Sequence, residues 1–203
     1  NCAVSPELTA FECDETEGYL TRAGESWTSD DGATFVFMQC REGTDGVIGD
    51  CLLYRQRSGA ARETYPNASV LGLSSNGERL LMWNEAGGTG LVGADGVRAP
   101  VPLSSSARMS GDGATIFGTV ATGTDGPTLE RWTADGGLET LAAFSDLGAA
   151  EQWEIGAVSH DGTLVVGSAY DGARYIPFRW TASGGLQDLG TMPAGADGAR
   201  PTV

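Results

Sequence analysis

Four times along this chain a serine-led turn ending in glycine separates short apolar runs. The turns are Ser29-Asp30-Asp31-Gly32, Ser74-Ser75-Asn76-Gly77, Ser110-Gly111-Asp112-Gly113 and Ser159-His160-Asp161-Gly162. Their glycines fall at intervals of 45, 36 and 49 residues. Glycine supplies the positive φ that tight turns between antiparallel strands require. Each turn leads into a β-branched or aromatic run, at 33–38, 79–83, 114–118 and 164–167. A period of this size with about four strands per unit is that of a propeller blade, a sheet that must stack on its neighbours to bury its faces.

Residues 155–190 are the best-preserved copy. By the period of two, Ile176, Phe178 and Trp180 share one face and Tyr175, Arg179 and Thr181 the other. Leu164-Val165-Val166-Gly167 is apolar on both faces, which predicts a strand packed between two sheets. A second overlay sets Tyr54, Val92, Trp132 and Trp180 at one repeat position, with unit length varying in the loop between the second and third strands. The chain therefore divides into an N-terminal cap segment (1–26, with a short strand near 18–22), four β repeats (27–65, 69–101, 106–145, 155–190), and residues 191–203 as a tail or the start of a further blade. The fold class is all-β and propeller-like. Four units could close a small ring, or form an open arc completed by other residues or a partner chain.

No run approaches the roughly 18–20 apolar residues that span a bilayer. The 27 acidic against 12 basic residues leave a formal charge of −15, which repels phosphate backbones and excludes nucleic acid as a natural partner. Four cysteines, Cys2, Cys13, Cys40 and Cys51, lie in the first quarter, and none of their spacings matches a zinc knuckle. Of the three pairings available, the local ones fit best. Phe35 to Met38 runs into Cys40 and Cys51 opens Leu52-Leu53-Tyr54, so a bridge would staple a hairpin below its glycine-rich loop. Disulfides imply an oxidising compartment, hence an extracellular, cell-surface or periplasmic location. Asn1-Cys2 has neither a charged start nor an apolar segment, so the chain reads as a mature or trimmed form.

The run from Ile176 to Pro193, with Arg179-Trp180-Thr181-Ala182 and Gly184-Gly185-Leu186, preceded by Ser159-His160-Asp161-Gly162 and Val165-Val166-Gly167, resembles the HAF family of bacterial extracellular repeats. Residues 106–141 match it more loosely, through Ser110 to Gly113 and Arg131-Trp132-Thr133-Ala134. Residues 27–101 match only in turn placement. Where the family has His-Ala-Phe, this chain has Ile176-Pro177-Phe178. The resemblance implies an exported or surface location and a propeller-like architecture, and it transfers no catalytic residue.

His160 is the only histidine, set between Ser159 and Asp161. Sequence neighbours cannot form a catalytic triad, because its side chains must converge from separate segments. Asp30, Asp31, Asp112, Asp125, Asp135, Asp161 and Asp171 lie in or beside glycine turns, where Asp accepts local backbone hydrogen bonds. Calcium is the one cofactor the acidic loops allow, at 43–50 and 121–126, but neither has a complete EF-hand or glycine-rich repeat spacing. A glycosidase needs only two carboxylates in a cleft, and nothing singles out a pair. Trp132 and Trp180 suit packing between blades, and Trp153, beside Glu151 and Gln152, is the expected exposed tryptophan. Asn67-Ala68-Ser69 is a glycosylation sequon, relevant only in a eukaryotic secretory route. The sequence thus nominates no catalytic, cofactor or metal residue. It favours a non-enzymatic, exported structural or binding module whose partner is a surface protein, a glycan or another copy of itself. A carbohydrate-active propeller enzyme and a subunit of a larger extracellular assembly are the alternatives.

Overall fold

The computed structural model describes residues 2–4, 11–13, 19–20, 26–42, 48–121, 126–148 and 152–190. Among these the regular elements are β-strands, with one 3-10 turn at Phe144–Leu147. A short antiparallel pair, β1 (Cys2–Val4) and β2 (Phe11–Cys13), precedes four antiparallel sheets. The first sheet contains β3 (Tyr19–Leu20), β4 (Ser26–Thr28), β5 (Thr34–Glu42), β6 (Ile48–Arg57) and β7 (Glu63–Pro66), with β3 and β4 both paired to β5. The second is the meander β8 (Ala68–Leu73), β9 (Leu80–Asn84), β10 (Gly88–Val92) and β11 (Arg98–Pro100). The third runs β12 (Arg108–Met109), β13 (Thr115–Ala121), β14 (Pro127–Thr133) and β15 (Gly137–Ala143). The fourth runs β16 (Gln152–Val158), β17 (Leu164–Tyr170), β18 (Tyr175–Thr181) and β19 (Gly185–Asp188).

The chain forms two compact units, Asn1–Val101 and Pro102–Val203, each holding two of the four sheets. Within the first, Val36 and Leu53 of the first sheet pack on Val70, Leu80, Met82 and Val92 of the second. Within the second, Phe117 and Leu129 of the third sheet pack on Ile155, Val165, Phe178 and Trp180 of the fourth, with Phe144 closing one side. Burial of apolar area holds each pair together, at about 1.5–3 kcal/mol per large side chain removed from water. The alternation expected for β18 is present: Ile176, Phe178 and Trp180 are buried while Tyr175 and Arg179 are exposed. On β17, however, the expected burial of both faces is complete on one only: Val165 and Ala169 are buried, while on the other face Ser168 is buried, Val166 is half-buried and Leu164 is 37% exposed.

Strand pairing fixes the repeat positions. Leu80 faces Val92, Ile116 faces Trp132 and Val165 faces Trp180. In the first sheet the same pairing joins Phe35 to Gln56, so Gln56 rather than Tyr54 is the counterpart of the two tryptophans. Tyr54 lies two residues earlier, opposite Phe37. A shift of two residues preserves the face, so the alternation of the sequence could not distinguish these positions.

Length also varies between sheets, not only within them. Asn67 alone links β7 to β8, whereas residues 101–107 and 144–151 make the later links. Asn67 adopts a left-handed φ of 48°, which asparagine tolerates better than most non-glycine residues. Its N–H donates to the Cys51 carbonyl at 2.7 Å, and the Cys51 N–H donates to its Oδ1 at 3.3 Å. The expected Cys40–Cys51 disulfide is present between facing positions of β5 and β6, with a Cα separation of 4.0 Å. Backbone pairing sets Cys2 opposite Cys13, and their side chains lie outside the described residues, as do 191–203.

Candidate functional site

The repeated turn, which contains the Ser-His-Asp run, has one hydrogen-bond plan used four times. Ser29, Ser74, Ser110 and Ser159 each donate their N–H to the carbonyl five residues on, at 2.9–3.0 Å. That fifth residue returns its own N–H to the serine Oγ at 2.9–3.0 Å. Each serine hydroxyl donates in turn to the Oδ1 of Asp31, Asn76, Asp112 or Asp161, at 2.6–2.8 Å. The same Oδ1 accepts the N–H of Ala33, Glu78, Ala114 or Thr163 at 2.9–3.1 Å. Serine and Asp or Asn are suited to this because their short side chains reach their own backbone two residues on.

These hydrogen bonds decide what Ser159 and Asp161 can do chemically. The Ser159 hydroxyl points its proton at Asp161, and His160 stands between them in sequence. Hydrogen bonds from Ser159, then from the Thr163 hydroxyl and backbone N–H, hold the Asp161 carboxyl down at about 2. Asp31 is lowered in the same way by Ser29 and the Ala33 N–H, and Asp171 by the N–H groups of Ala173 and Arg174. Carboxylates so stabilised are acceptors within the framework, not proton donors near neutral pH.

The turns also join sheets. The Asp30 N–H donates to the Ser75 carbonyl at 2.8 Å, and the Asp112 N–H donates to the His160 carbonyl at 2.8 Å. A Cβ on Gly111 would meet the His160 ring. His160 is therefore a member of an inter-sheet contact in the second unit.

Sequence reasoning missed the ionic cluster of the first unit. Arg55 is fully buried and contacts Glu63 through its Nη2 at 2.7 Å and its Nε at 2.9 Å. It also donates to the Gly93 carbonyl at 2.7 Å and, at 3.4 Å, to that of Glu78, in the turns that join the strands of the second sheet. Arg57 contacts the other Glu63 oxygen at 2.6 Å and donates to the Ala94 carbonyl at 2.6 Å. Burial alone would raise the Glu63 pKa, but the Tyr65 hydroxyl and the two arginines outweigh it and hold the carboxyl below its usual 4.5. Burial and the hydrogen bond to Glu63 push the Tyr65 phenol up. The same cross-strand pair recurs as Arg131 with Glu139 and as Arg179 with Gln187. Its signal in the sequence is an arginine just before the position of Gln56, Trp132 and Trp180, and a Glu or Gln eight residues later.

The remaining candidates are dispersed. Trp132 and Trp180 are buried, and Trp180 lies 5.7 Å from Phe117 across the sheets. Trp153 is not the exposed tryptophan expected: it stacks on Phe144 at 5.8 Å and is half-buried against the core. Glu130 is the only acid in the core among the described residues, held by the hydroxyls of Thr128 and Thr140 at 2.7 and 2.9 Å. Of the expected calcium loops, 43–50 and 121–126, the side chains of 43–50 and 121–125 lie outside the described residues. Among the described residues no three His, Cys, Asp or Glu side chains converge as metal ligands, and no helix is long and apolar enough to cross a membrane.

No family model matches the sequence, and no curated protein matches it. By structure the chain is similar to TolB from Acinetobacter baumannii, with 14% identity and a TM-score of 0.55 over 83% of this chain and 42% of that one. A TolB-type protein from Agrobacterium tumefaciens aligns over 93% of this chain and 79% of its own, with 18% identity and a TM-score of 0.53. An acylaminoacyl peptidase from Pyrococcus horikoshii aligns over 85% of this chain and 32% of its own, with 10% identity and a TM-score of 0.57. The chain thus spans less than half the length of the first of these and about a third of the peptidase. At such identities the likeness establishes architecture alone, since one fold hosts many unrelated functions. The chain is an all-β protein of β-propeller type, built from four antiparallel sheets.

Proposed function

We propose that this chain is an exported propeller-type module that works by binding, as a structural or recognition unit at a bacterial surface, and not by catalysis. The observation that carries this reading is the fourfold hydrogen-bond plan of the turns, which commits Ser159 and Asp161 to the same framework as Ser29, Ser74 and Ser110. The residues that look most like a catalytic set are one copy of a structural motif. The Cys40–Cys51 bridge supports export, because such bonds persist in oxidising compartments. On this reading residues 155–190 are a repeat of the HAF type, and the partner is a surface protein or glycan met by the loops between strands.

Two measurements test the proposal. Thiol alkylation before lysis, followed by fractionation of the producing cells, is expected to find Cys40 and Cys51 oxidised and the protein outside the cytoplasm. Incubation of the purified chain with glycan and peptide panels is expected to give no turnover. Hydrolysis or elimination that a single Asp or Glu replacement abolished would overturn the binding-module reading, and reduced cysteines in a cytoplasmic fraction would overturn export.

A further inference from the structure

The face of the fourth sheet carrying Leu164, Tyr175 and Arg179 differs from the corresponding faces of the first and third sheets. Seven residues beyond the turn serine stand Val36, Phe117 and Val166. Val36 and Phe117 are completely buried beneath the sheet that follows each of them, whereas Val166 is only half covered. Arg55, the counterpart of Arg179, is fully buried with its guanidinium on carbonyls of the following sheet, while Arg179 is exposed. Five residues beyond the serine, Thr34 and Thr115 each contact a glycine of the next turn, Gly77 and Gly162, whereas Leu164 is exposed. Leu164, Tyr175 (51% exposed) and Leu189 (54%) are three of the five large apolar side chains exposed among the described residues. Strand alternation sets them on one face: Tyr175 and Arg179 share it on β18, and Leu189 follows Gln187, the partner of Arg179, by two residues.

We propose that this face is a self-association surface, covered in solution by the same face of a second copy of the chain. The occurrences of the surface on the first and third sheets are buried against apolar sheet, which states the chemistry of what covers it. The charges on it favour a copy of itself. Glu154 on β16 pairs with Ser168, and Arg179 pairs with Val166, so both charges lie on this face, on opposite flanks of β17. A two-fold axis along β17 exchanges its two flanks and so brings each Arg179 to the side of the partner copy's Glu154. A surface bearing both members of an ion pair is self-complementary, as a two-fold interface requires. The net charge of −15 opposes approach at long range, so association strengthens as added salt shortens the screening length toward about 8 Å.

The inference deepens the binding-module reading by naming one partner, and it rests on that reading for its biological use. Light scattering after size-exclusion chromatography and sedimentation equilibrium on the full chain test it, from low micromolar to near-millimolar concentration. A monomer–dimer equilibrium is expected, weakened by about tenfold or more in Leu164→Glu and Tyr175→Glu and unaltered in Leu138→Glu, an exposed leucine on β15. Arg179→Glu and Glu154→Arg are each expected to weaken the dimer, and their combination to restore it, which separates loss of contact from loss of fold. A monomer at every concentration, or a dimer indifferent to all of these replacements, would overturn the inference. Either result leaves the binding-module reading to the turnover and fractionation assays.

Discussion

Thr115 packs directly against Gly162: a Cβ built on that glycine would sit 3.0 Å from both the Cβ and the Oγ1 of Thr115. Thr34 stands in the same relation to Gly77, where a Cβ would overlap the threonine side chain outright. In each unit, the residue that follows the turn of one sheet is seated on the turn glycine of the next. Glycine is needed there twice over, for its φ of 67° or 70° and for the space it leaves.

Gly32 separates these two requirements. Its φ is 69°, yet nothing lies within 4 Å of a Cβ placed there. Gly32→Ala is expected to cost about 1–2 kcal/mol for the left-handed conformation alone. Gly77→Ala is expected to cost a further 1–3 kcal/mol or so for the forced overlap. Urea denaturation of the two variants checks this, and equal losses would show that the contact between sheets contributes nothing.

Glu63 holds Arg55 in the core of the first unit, so Glu63→Ala leaves a buried guanidinium with a lost partner. The expected loss is about 3 kcal/mol. The folded-state pKa of Glu63 lies below its ordinary 4.5, so its stabilisation is fully present above that value and is lost as pH falls through the folded pKa. The stability gap between the native chain and Glu63→Gln should therefore narrow on acidification below 4.5, measured by denaturation across a pH series. A gap independent of pH would show that the Glu63 charge does not hold the cluster.

Asp161 should titrate at about 2, observed by NMR of its carboxyl carbon. Ser159→Ala removes the largest cause of that shift and should move the titration up toward 3.8. The sign follows from linkage: what the ionised Asp161 contributes is present above 3.8 and lost as pH falls toward 2. A titration unmoved by Ser159→Ala would contradict the hydrogen-bond assignment.

The Cys40–Cys51 bridge closes a short loop, and its removal should cost about 2–4 kcal/mol. Comparing guanidinium midpoints with and without reductant, alongside Cys40→Ser/Cys51→Ser, checks the value.

The architecture was readable wherever local chemistry states the conformation. The turn glycines, the alternation of Ile176, Phe178 and Trp180, and the Cys40–Cys51 staple all follow from spacing within a few residues. What depends on distant partners was not readable. The role of Arg55 is not legible in the sequence, because the carbonyls that receive it lie 23 and 38 residues away. Trp153 reads as exposed beside Glu151 and Gln152, but the Phe144 that it stacks on belongs to a 3-10 turn with no periodic signal. Leu164 reads as buried because its own strand cannot reveal whether a further sheet covers its second face. The Ser159-His160-Asp161 run cannot form a triad among sequence neighbours, and the hydrogen bonds that give it a role in the turn are visible only in the structure.

That role is tested most directly by replacing the four turn serines one at a time and measuring both unfolding and every activity or binding found for the chain. Ser29→Ala, Ser74→Ala, Ser110→Ala and Ser159→Ala should each lose about 1–2 kcal/mol of stability, because each serine hydroxyl donates to a side-chain oxygen and accepts at least one backbone N–H. Ser159→Ala, the least buried, should lose the least and leave activity and binding unchanged. A Ser159→Ala protein of full stability that had lost an activity or a ligand would contradict the account.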